Sequence, residues 1–297
     1  MQKPSRLICI CRIHGNGGKA MNKSKIEWCD MTWNPVADAC DGCEYCYARR
    51  IANRFGGASE THYNECVGEE CQWCTEETGK THDLTEPIYD VDRGHNAPYP
   101  FYFDPTFFRY RLDEPQKVKK SQKVFVCSMA DLFGEWVPDE WQLEVYKACG
   151  KADWHKYLFL TKNPKAYSKV FYRSELDYRH NFWLGTTVTD DKNFNKRGFE
   201  LFEFTGADQK RRANRFLSIE PLLGEINDKV LRNVQFIDWV IIGAETGNRK
   251  GKVIPEKEWI DNIVSGCHEA GVPVFMKNSL KDLMGDDFIQ EWPEGLR

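Results

Sequence analysis

From residue 121 onward the chain alternates short apolar runs, rich in β-branched and aromatic residues, with polar stretches long enough to hold a helix. The runs are 124–127 (VFVC), 157–160 (YLFL), 182–188 (FWLGTTV), 216–219 (FLSI), 239–242 (WVII) and 272–276 (VPVFM). Short apolar runs of this kind, without regular polar alternation, are the mark of strands covered on both faces, as in a parallel sheet. Between them, 138–150 (PDEWQLEVYKACG) and 255–271 (PEKEWIDNIVSGCHEAG) each open on Pro and close on Gly, the punctuation of a helix. A further short strand is expected near 26–33. With about seven βα units, the expected class is α/β with a full or partial TIM-type (βα) barrel, and a doubly wound open sheet is the second choice.

Parallel α/β folds build their sites on the loops at the strand C-terminal ends. Those ends read SMADLF (128–133), TKNP (161–164), TTVTDD (186–191), EPLL (220–223), GAETG (243–247) and KNS (277–279). Each offers a polar or ionisable residue: Asp131, Lys162, Thr187, Glu220, Glu245 and Lys277. Any one of these is more often a helix cap or a solvated loop charge than a ligand-binding group. Their recurrence at six ends that converge on one side is what points to a polar pocket.

Composition sets the frame for that pocket. At 297 residues and 41% hydrophobic, the chain suits one enzyme-sized domain over 21–297, with a Cys-rich insertion at 57–100 and a loose tail at 1–20. A net charge of -4, from 41 basic and 45 acidic residues, supplies no broad basic field for nonspecific nucleic-acid binding. Locally, RYR (109–111) and KVKK (117–120) hint at a basic groove, although such runs are usually solvated faces. No apolar run approaches the ~20 residues that cross a bilayer, and LICIC near the start is shorter than a secretory core. The expectation is therefore a cytoplasmic protein with no membrane contact.

Twelve cysteines in a large chain without an export signal suggest metal rather than disulfides, because six of them bunch into two triplets. Cys40, Cys43 and Cys46, in CDGCEYCYARR, are followed at once by a basic, helix-like run. Three thiolates are one short of a closed tetrahedral site. Either a residue such as Cys29 or a member of the second triplet closes a zinc knuckle, or one position is left open for chemistry. Cys66, Cys71 and Cys74 form that second triplet, where His82 or His62 would complete a three-Cys, one-His zinc centre, or the loop would carry an auxiliary cluster. Thiols on a flexible acidic loop are the plain alternative. Cys9 and Cys11 in the tail read as incidental, and Cys127, Cys149 and Cys267 as small apolar packing.

The blocks IEWCDMTWNPV, GCEYCYA, VFVCSMADLFGEWVP, FLTKNP, FLSIEPLLG, DWVIIGAETG and GVPVFMK, in this order, resemble the signature blocks of an uncharacterised phage and bacterial protein family related to the radical S-adenosylmethionine enzymes. The likeness covers residue 21 to about residue 280, apart from 57–100. It implies a partial barrel with a 4Fe-4S cluster in the loop after the first strand. Cys40, Cys43 and Cys46 would hold three irons and leave the fourth for S-adenosylmethionine. Tyr45 matches the aromatic position before the last cysteine and would pack near the adenine. Asp131, Thr187, Glu220 and Glu245 would meet the methionine and ribose parts of the cofactor, and Lys162 and Lys277 a carboxylate. An electron donor such as flavodoxin or ferredoxin is the implied partner. One departure stands out: two residues, Asp41 and Gly42, separate the first two cysteines, where the superfamily usually has three. No stretch identifies a substrate. Two other readings remain open at this level: a zinc-stapled phage or host interaction module without catalysis, and a nucleic-acid modifying or repair enzyme with a basic, aromatic-bearing groove.

Overall fold

The computed structural model describes residues 21–37, 43–57, 81–90, 92–169, 181–204, 213–227, 234–247 and 249–297. Strand β1 (Asn22–Lys23) runs antiparallel to β2 (Met31–Trp33). Then come β3 (Val36–Ala37) and helix α1 (Tyr47–Phe55). Strand β4 (His82–Leu84) precedes a short hairpin of β5 (Tyr89–Asp90) and β6 (His95–Asn96). Strand β7 (Thr106–Phe108) joins β3 and β4 into a small second sheet. The rest is repeating: β8 (Lys123–Val126), α2 (Asp139–Gly150), β9 (Lys156–Thr161), β10 (Phe182–Val188), β11 (Asn214–Ile219), β12 (Trp239–Ile242), α3 (Lys257–Glu269) and β13 (Val274–Met276).

The main sheet has the order β1-β2-β8-β9-β10-β11-β12-β13, and every pair from β2 to β13 is parallel. The order never reverses, so there is no crevice at a switch point, as a doubly wound sheet would have. Right-handed crossovers wound in one direction put the helices on one face. On that face Trp141, Val145 and Cys149 of α2 and Ile260, Ile263 and Cys267 of α3 pack with Val124, Phe159, Leu217, Val240 and Val274. The alternate residues Phe125, Leu158, Trp183, Phe216, Trp239 and Phe275 point to the other face, where among the described residues no α-helix packs and the 3-10 turn Glu294–Leu296 contributes Leu296.

Loop and C-terminal residues, aromatic ones foremost, fill that face. The Trp28 ring lies 4.6 Å from Phe125 of β8 and 6.1 Å from Phe216 of β11. In a flat sheet those strands, three spacings apart, would be separated by about 14 Å. Farther across, Lys123 Nζ of β8 sits 4.1 Å from the Trp292 ring, which stacks at 5.2 Å on Trp239 of β12. One indole can bridge such strands only if the sheet curls around it. Among the described residues no ladder joins β1 to β13, so the architecture is a curled, mostly parallel, open sheet rather than a closed barrel. Across the gap, Glu27 Oε1 accepts from the Asn278 backbone N–H at 2.9 Å.

Element boundaries follow from local chemistry. Strand β13 begins at Val274 and not at 272 because Pro273 has no N–H for the ladder, although its carbonyl accepts from the Val240 N–H at 3.1 Å. Pro138 precedes the first helical residue of α2, and Gly271, at φ +71°, ends the turn after α3. Of the run expected near 26–33, only Met31–Trp33 is strand; Trp28 and Cys29 instead turn into the concave face. No helix among the described residues is long and apolar enough to cross a membrane.

Candidate functional site

The three last strands place one polar rung at their C-terminal ends. Ile219 pairs with Ile242, and Ile242 with Met276, so Glu220, Gly243 and Lys277 occupy the next rung across β11, β12 and β13. By strand alternation all three face the concave side, following Ser218, Ile241 and Phe275. Lys277 Nζ bonds the Glu220 carboxylate and lies 3.9 Å from Glu27 Oε2. Gly243 makes this pairing possible. A Cβ there would lie 3.1 Å from Lys277 Cδ and 3.2 Å from Glu220 Cδ, so any side chain on the middle strand would stand between the two charges. The pair is mostly shielded, with side-chain exposures of 15% for Lys277 and 24% for Glu220.

Thr187, buried on β10, shares this face, as its parity with Trp183 and Gly185 requires, and lies in register with Ser218 of β11. Lys162 continues the alternation of Leu158 and Leu160 beyond the end of β9. Four of the six strand-end residues singled out in the sequence, Lys162, Thr187, Glu220 and Lys277, therefore belong to one polar end. The other two are engaged as clamps. Asp131 is buried, with Oδ1 accepting from the Phe133 N–H at 3.2 Å and Oδ2 from the Lys162 N–H at 2.9 Å, which ties the β8 and β9 loops together. Glu245 is gripped by Arg249 at 2.6 and 2.7 Å, and that guanidinium holds its carboxyl below the usual carboxylate range.

The loop carrying Cys43 and Cys46 lies over this end. Cys46 is the N-cap of α1, its Sγ accepting the Arg49 N–H at 3.4 Å, while its own N–H donates to the Cys43 carbonyl at 3.1 Å. Burial, followed by the neighbouring Cys43 thiol, pushes the Tyr45 phenol above its ordinary range, and Arg197 and Asp190 of the β10 loop act on it as well. Tyr47 leaves about half its surface exposed but turns its hydroxyl inward to donate to the Ser128 carbonyl after β8. Burial raises that hydroxyl too, with Glu220, Cys46 and Cys29 the next influences. Glu44 reaches Arg249 at 3.6 Å, and the Arg50 guanidinium would be 3.6 Å from a Cβ on Gly247, both in the β12 loop. One short loop and the start of α1 thus contact the strand ends of β8 and β12.

Whether a metal cluster fits depends on the chemistry of these thiols. Cys43 and Cys46 are half-buried at the mouth, and Cys46 sits at a helix N-terminus, where an N–H and the helix dipole favour a thiolate. Four other described cysteines are unsuited: burial pushes the thiols of Cys29, Cys127 and Cys267 up to about 12, and that of Cys149 well above its ordinary value. Among the described residues no three His, Cys, Asp or Glu side chains converge as a metal site. The third thiol, Cys40, lies outside the described residues, as do Cys66, Cys71, Cys74, His62, Cys9 and Cys11. His82 is described: buried on β4, it stacks on Phe101 at 3.6 Å, with Nε2 at 3.6 Å from Asp104 Oδ2.

In the two basic runs, three side chains are held by carboxylates. Arg109 bonds Asp83 at 2.7 Å and also Glu144, Arg111 bonds Glu114 at 2.9 Å, and Lys117 bonds Asp113 at 2.9 Å. Those three charges are neutralised by ion pairs, whereas Lys119 lies 5.6 Å from the Trp154 ring and Lys120 is exposed. Sequence reading passed over Tyr47, Glu27 and Gly243. Only Tyr47 carried a signal, being adjacent to Cys46; the others depend on rung register and on closure across the sheet edges.

No curated protein and no solved structure matches the chain. A family model described as protein of unknown function (DUF5131) matches residues 23–282, a span that includes the cysteine loop and every strand end of the polar rung. The chain belongs to that family.

Proposed function

We propose that this chain is a radical S-adenosylmethionine enzyme built on a partial (βα) barrel, with a 4Fe-4S cluster held by Cys40, Cys43 and Cys46. The observation that carries the reading is that the Cys43–Cys46 loop and the start of α1 bond the loops after β8 and β12, at the C-terminal end of a singly wound parallel sheet, where such folds keep their chemistry. When bound, such a cluster, held by Cys40, Cys43 and Cys46, would supply one-electron reductive cleavage of S-adenosylmethionine. The chain's own residues bind and shield. Glu220 and Lys277 present a carboxylate and an ammonium side by side, matching the two charges of an amino-acid group. Thr187 adds a hydroxyl on the same face, Tyr45 a ring beside Cys43, and the aromatic filling below keeps water from the base of the site. A one-electron donor protein is the implied partner.

The test is anaerobic reconstitution followed by iron and sulfide analysis and a 5'-deoxyadenosine assay with dithionite. Wild type should hold about four irons and release 5'-deoxyadenosine slowly without substrate. Cys43→Ala and Cys46→Ala should lose iron and cleavage together, whereas Cys149→Ala and Cys267→Ala should keep both. Wild-type protein that takes up only zinc, or holds a full cluster yet never yields 5'-deoxyadenosine, would sink the reading and leave the loop a structural staple.

A further inference from the structure

Helix α1 buries small residues and exposes large ones. Ala48 and Ala52 face the protein, whereas Tyr47 is 47% exposed, Ile51 36% and Phe55 48%. Arg50 and Arg54 are exposed as well, so the outward stripe reads Tyr47, Arg50, Ile51, Arg54, Phe55, spaced as one helical face. Leaving such rings in water costs stability unless something covers them. Beyond Phe55 the stripe continues onto Tyr102, 51% exposed, whose ring lies against Gly56 and Gly57.

Among the described residues, the charge on this face has no carboxylate partners. Arg93, Arg109, Arg111, Lys123, Arg249 and Lys277 all pair with carboxylates. Among the described residues no carboxylate lies within ion-pair range of Arg49, Arg50 or Arg54. Two of these guanidiniums lie on rings: Arg54 over Phe55 and Arg49 over Phe103, each 5.2 Å from the centroid. The β12 loop adds exposed Lys250 and Lys252 a few residues from Gly247, the Arg50 neighbour. In a chain of net charge -4, this cationic strip is a local device.

We infer that the exposed face of α1 is a docking platform for single-stranded nucleic acid, which makes that polymer the substrate class of the site. Arginines without carboxylate partners suit phosphates, and exposed rings backed by guanidiniums suit the faces of unpaired bases. A duplex hides those faces, so the single strand is the better match. The stripe begins at Tyr47, whose hydroxyl bonds the Ser128 carbonyl after β8, so a strand lying on it runs toward the C-terminal end of the sheet that carries the polar rung. The role as substrate rests on the enzyme reading above; the binding itself does not.

The experiment is fluorescence anisotropy of the full chain with labelled single-stranded DNA and RNA oligonucleotides across a salt series. Iron content is measured on the same samples. Wild type should bind at low salt, with affinity falling as salt rises. The double variant Arg50→Glu/Arg54→Glu should bind at least tenfold more weakly. Its slope of log affinity against log salt should be shallower by about 1.4, two contacts at about 0.7 each. Phe55→Ala should bind about fivefold or more weakly with its slope unchanged, the mark of a lost stacking contact. Melting temperatures close to wild type would show both variants folded. Cys43→Ala should bind as wild type does, so a failed cluster and a failed platform are told apart. The inference is overturned by absence of binding at low salt, by equal affinity and slope in the double variant, or by equal binding of the duplex. Displacement by polyglutamate as efficient as by oligonucleotide would likewise overturn it and assign the face to an acidic protein.

Discussion

The Glu220–Lys277 pair is the most direct quantitative test of the rung geometry. At a normal charge-assisted separation of about 2.8 Å and an effective dielectric of about 20, the Coulomb attraction is about 6 kcal/mol. Most of that is cancelled, because removing two charges from water costs several kcal/mol per ion when they are largely buried. With side-chain exposures of 15% and 24%, the pair lies between a surface bridge, worth about 0–1 kcal/mol, and a fully buried one, whose breakage costs about 3–5 kcal/mol. The expected coupling is about 1–3 kcal/mol. Lys277→Met and Glu220→Gln preserve side-chain length and shape, so the double-mutant cycle isolates the charge interaction. Urea unfolding of the four proteins should show each single variant losing about 1–3 kcal/mol and the double variant losing less than the sum. Gly243→Leu, which inserts a side chain between the two charges, should abolish the coupling. Strict additivity, with a coupling below about 0.3 kcal/mol, would mean that the strands do not place these residues on one rung, and the site argued here would be wrong.

Three further outcomes follow from other parts of the fold. Trp28→Ala removes the indole that spans Phe125 and Phe216 and should cost about 3–5 kcal/mol in urea unfolding, with loss of near-ultraviolet dichroism; a change below about 1 kcal/mol would contradict the curled sheet. Cys127 holds φ +57° in the first turn after β8, so Cys127→Val, β-branched and disfavoured there, should destabilise by about 1–3 kcal/mol while Cys127→Gly stays near wild type; the reverse order would refute the left-handed turn. Burial holds His82 and His155 below the ordinary imidazole range. His155 Nδ1 accepts the Gln122 N–H at 3.1 Å, so its proton resides on Nε2, bonded to the Pro115 carbonyl at 2.9 Å. Folded His82 and His155 are therefore neutral, and the unfolded chain takes up protons near pH 6.5. Stability from these residues is complete above about pH 6.5 and is lost as pH falls below it, so the urea midpoint should decline from pH 7.5 to pH 5, less steeply in His155→Asn; a flat profile would count against neutral burial.

Much of the secondary structure was legible because its causes are local. Parallel strands covered on both faces need uninterrupted apolar runs, and 182–188 and 239–242 are strands over those same residues. Pro and Gly bracket α2 and α3 because Pro lacks the N–H that a helix start can spare and Gly tolerates the left-handed turn that ends it. The basic run after Cys46 is α1, with the cysteine as its cap. Even the fate of two arginine and lysine charges was written locally: Arg111 and Glu114 stand three apart, Lys117 and Asp113 four apart, the spacings at which side chains meet on a turn.

The sequence by itself determined the repeating strands and the two long helices from residue 121 onward, and that polar groups gather at one end of the sheet. It did not determine what those groups do there. Asp131 and Glu220 look alike as acids after a strand, yet one is consumed by two backbone N–H groups and the other pairs with Lys277. The difference comes from register. A rung joins residues more than twenty positions apart in the chain, so the opening that Gly243 leaves between Glu220 and Lys277 exists only once three strands are hydrogen-bonded in one alignment. The curl of the sheet is likewise tertiary, because a ring such as Trp28 can touch β8 and β11 together only after twist and packing have bent the strands around it. The outward stripe of α1 is of the same kind: the basic, helix-like run after the cysteines does not say which face is buried, and the packing of Ala48 and Ala52 leaves Tyr47, Ile51 and Phe55 toward solvent.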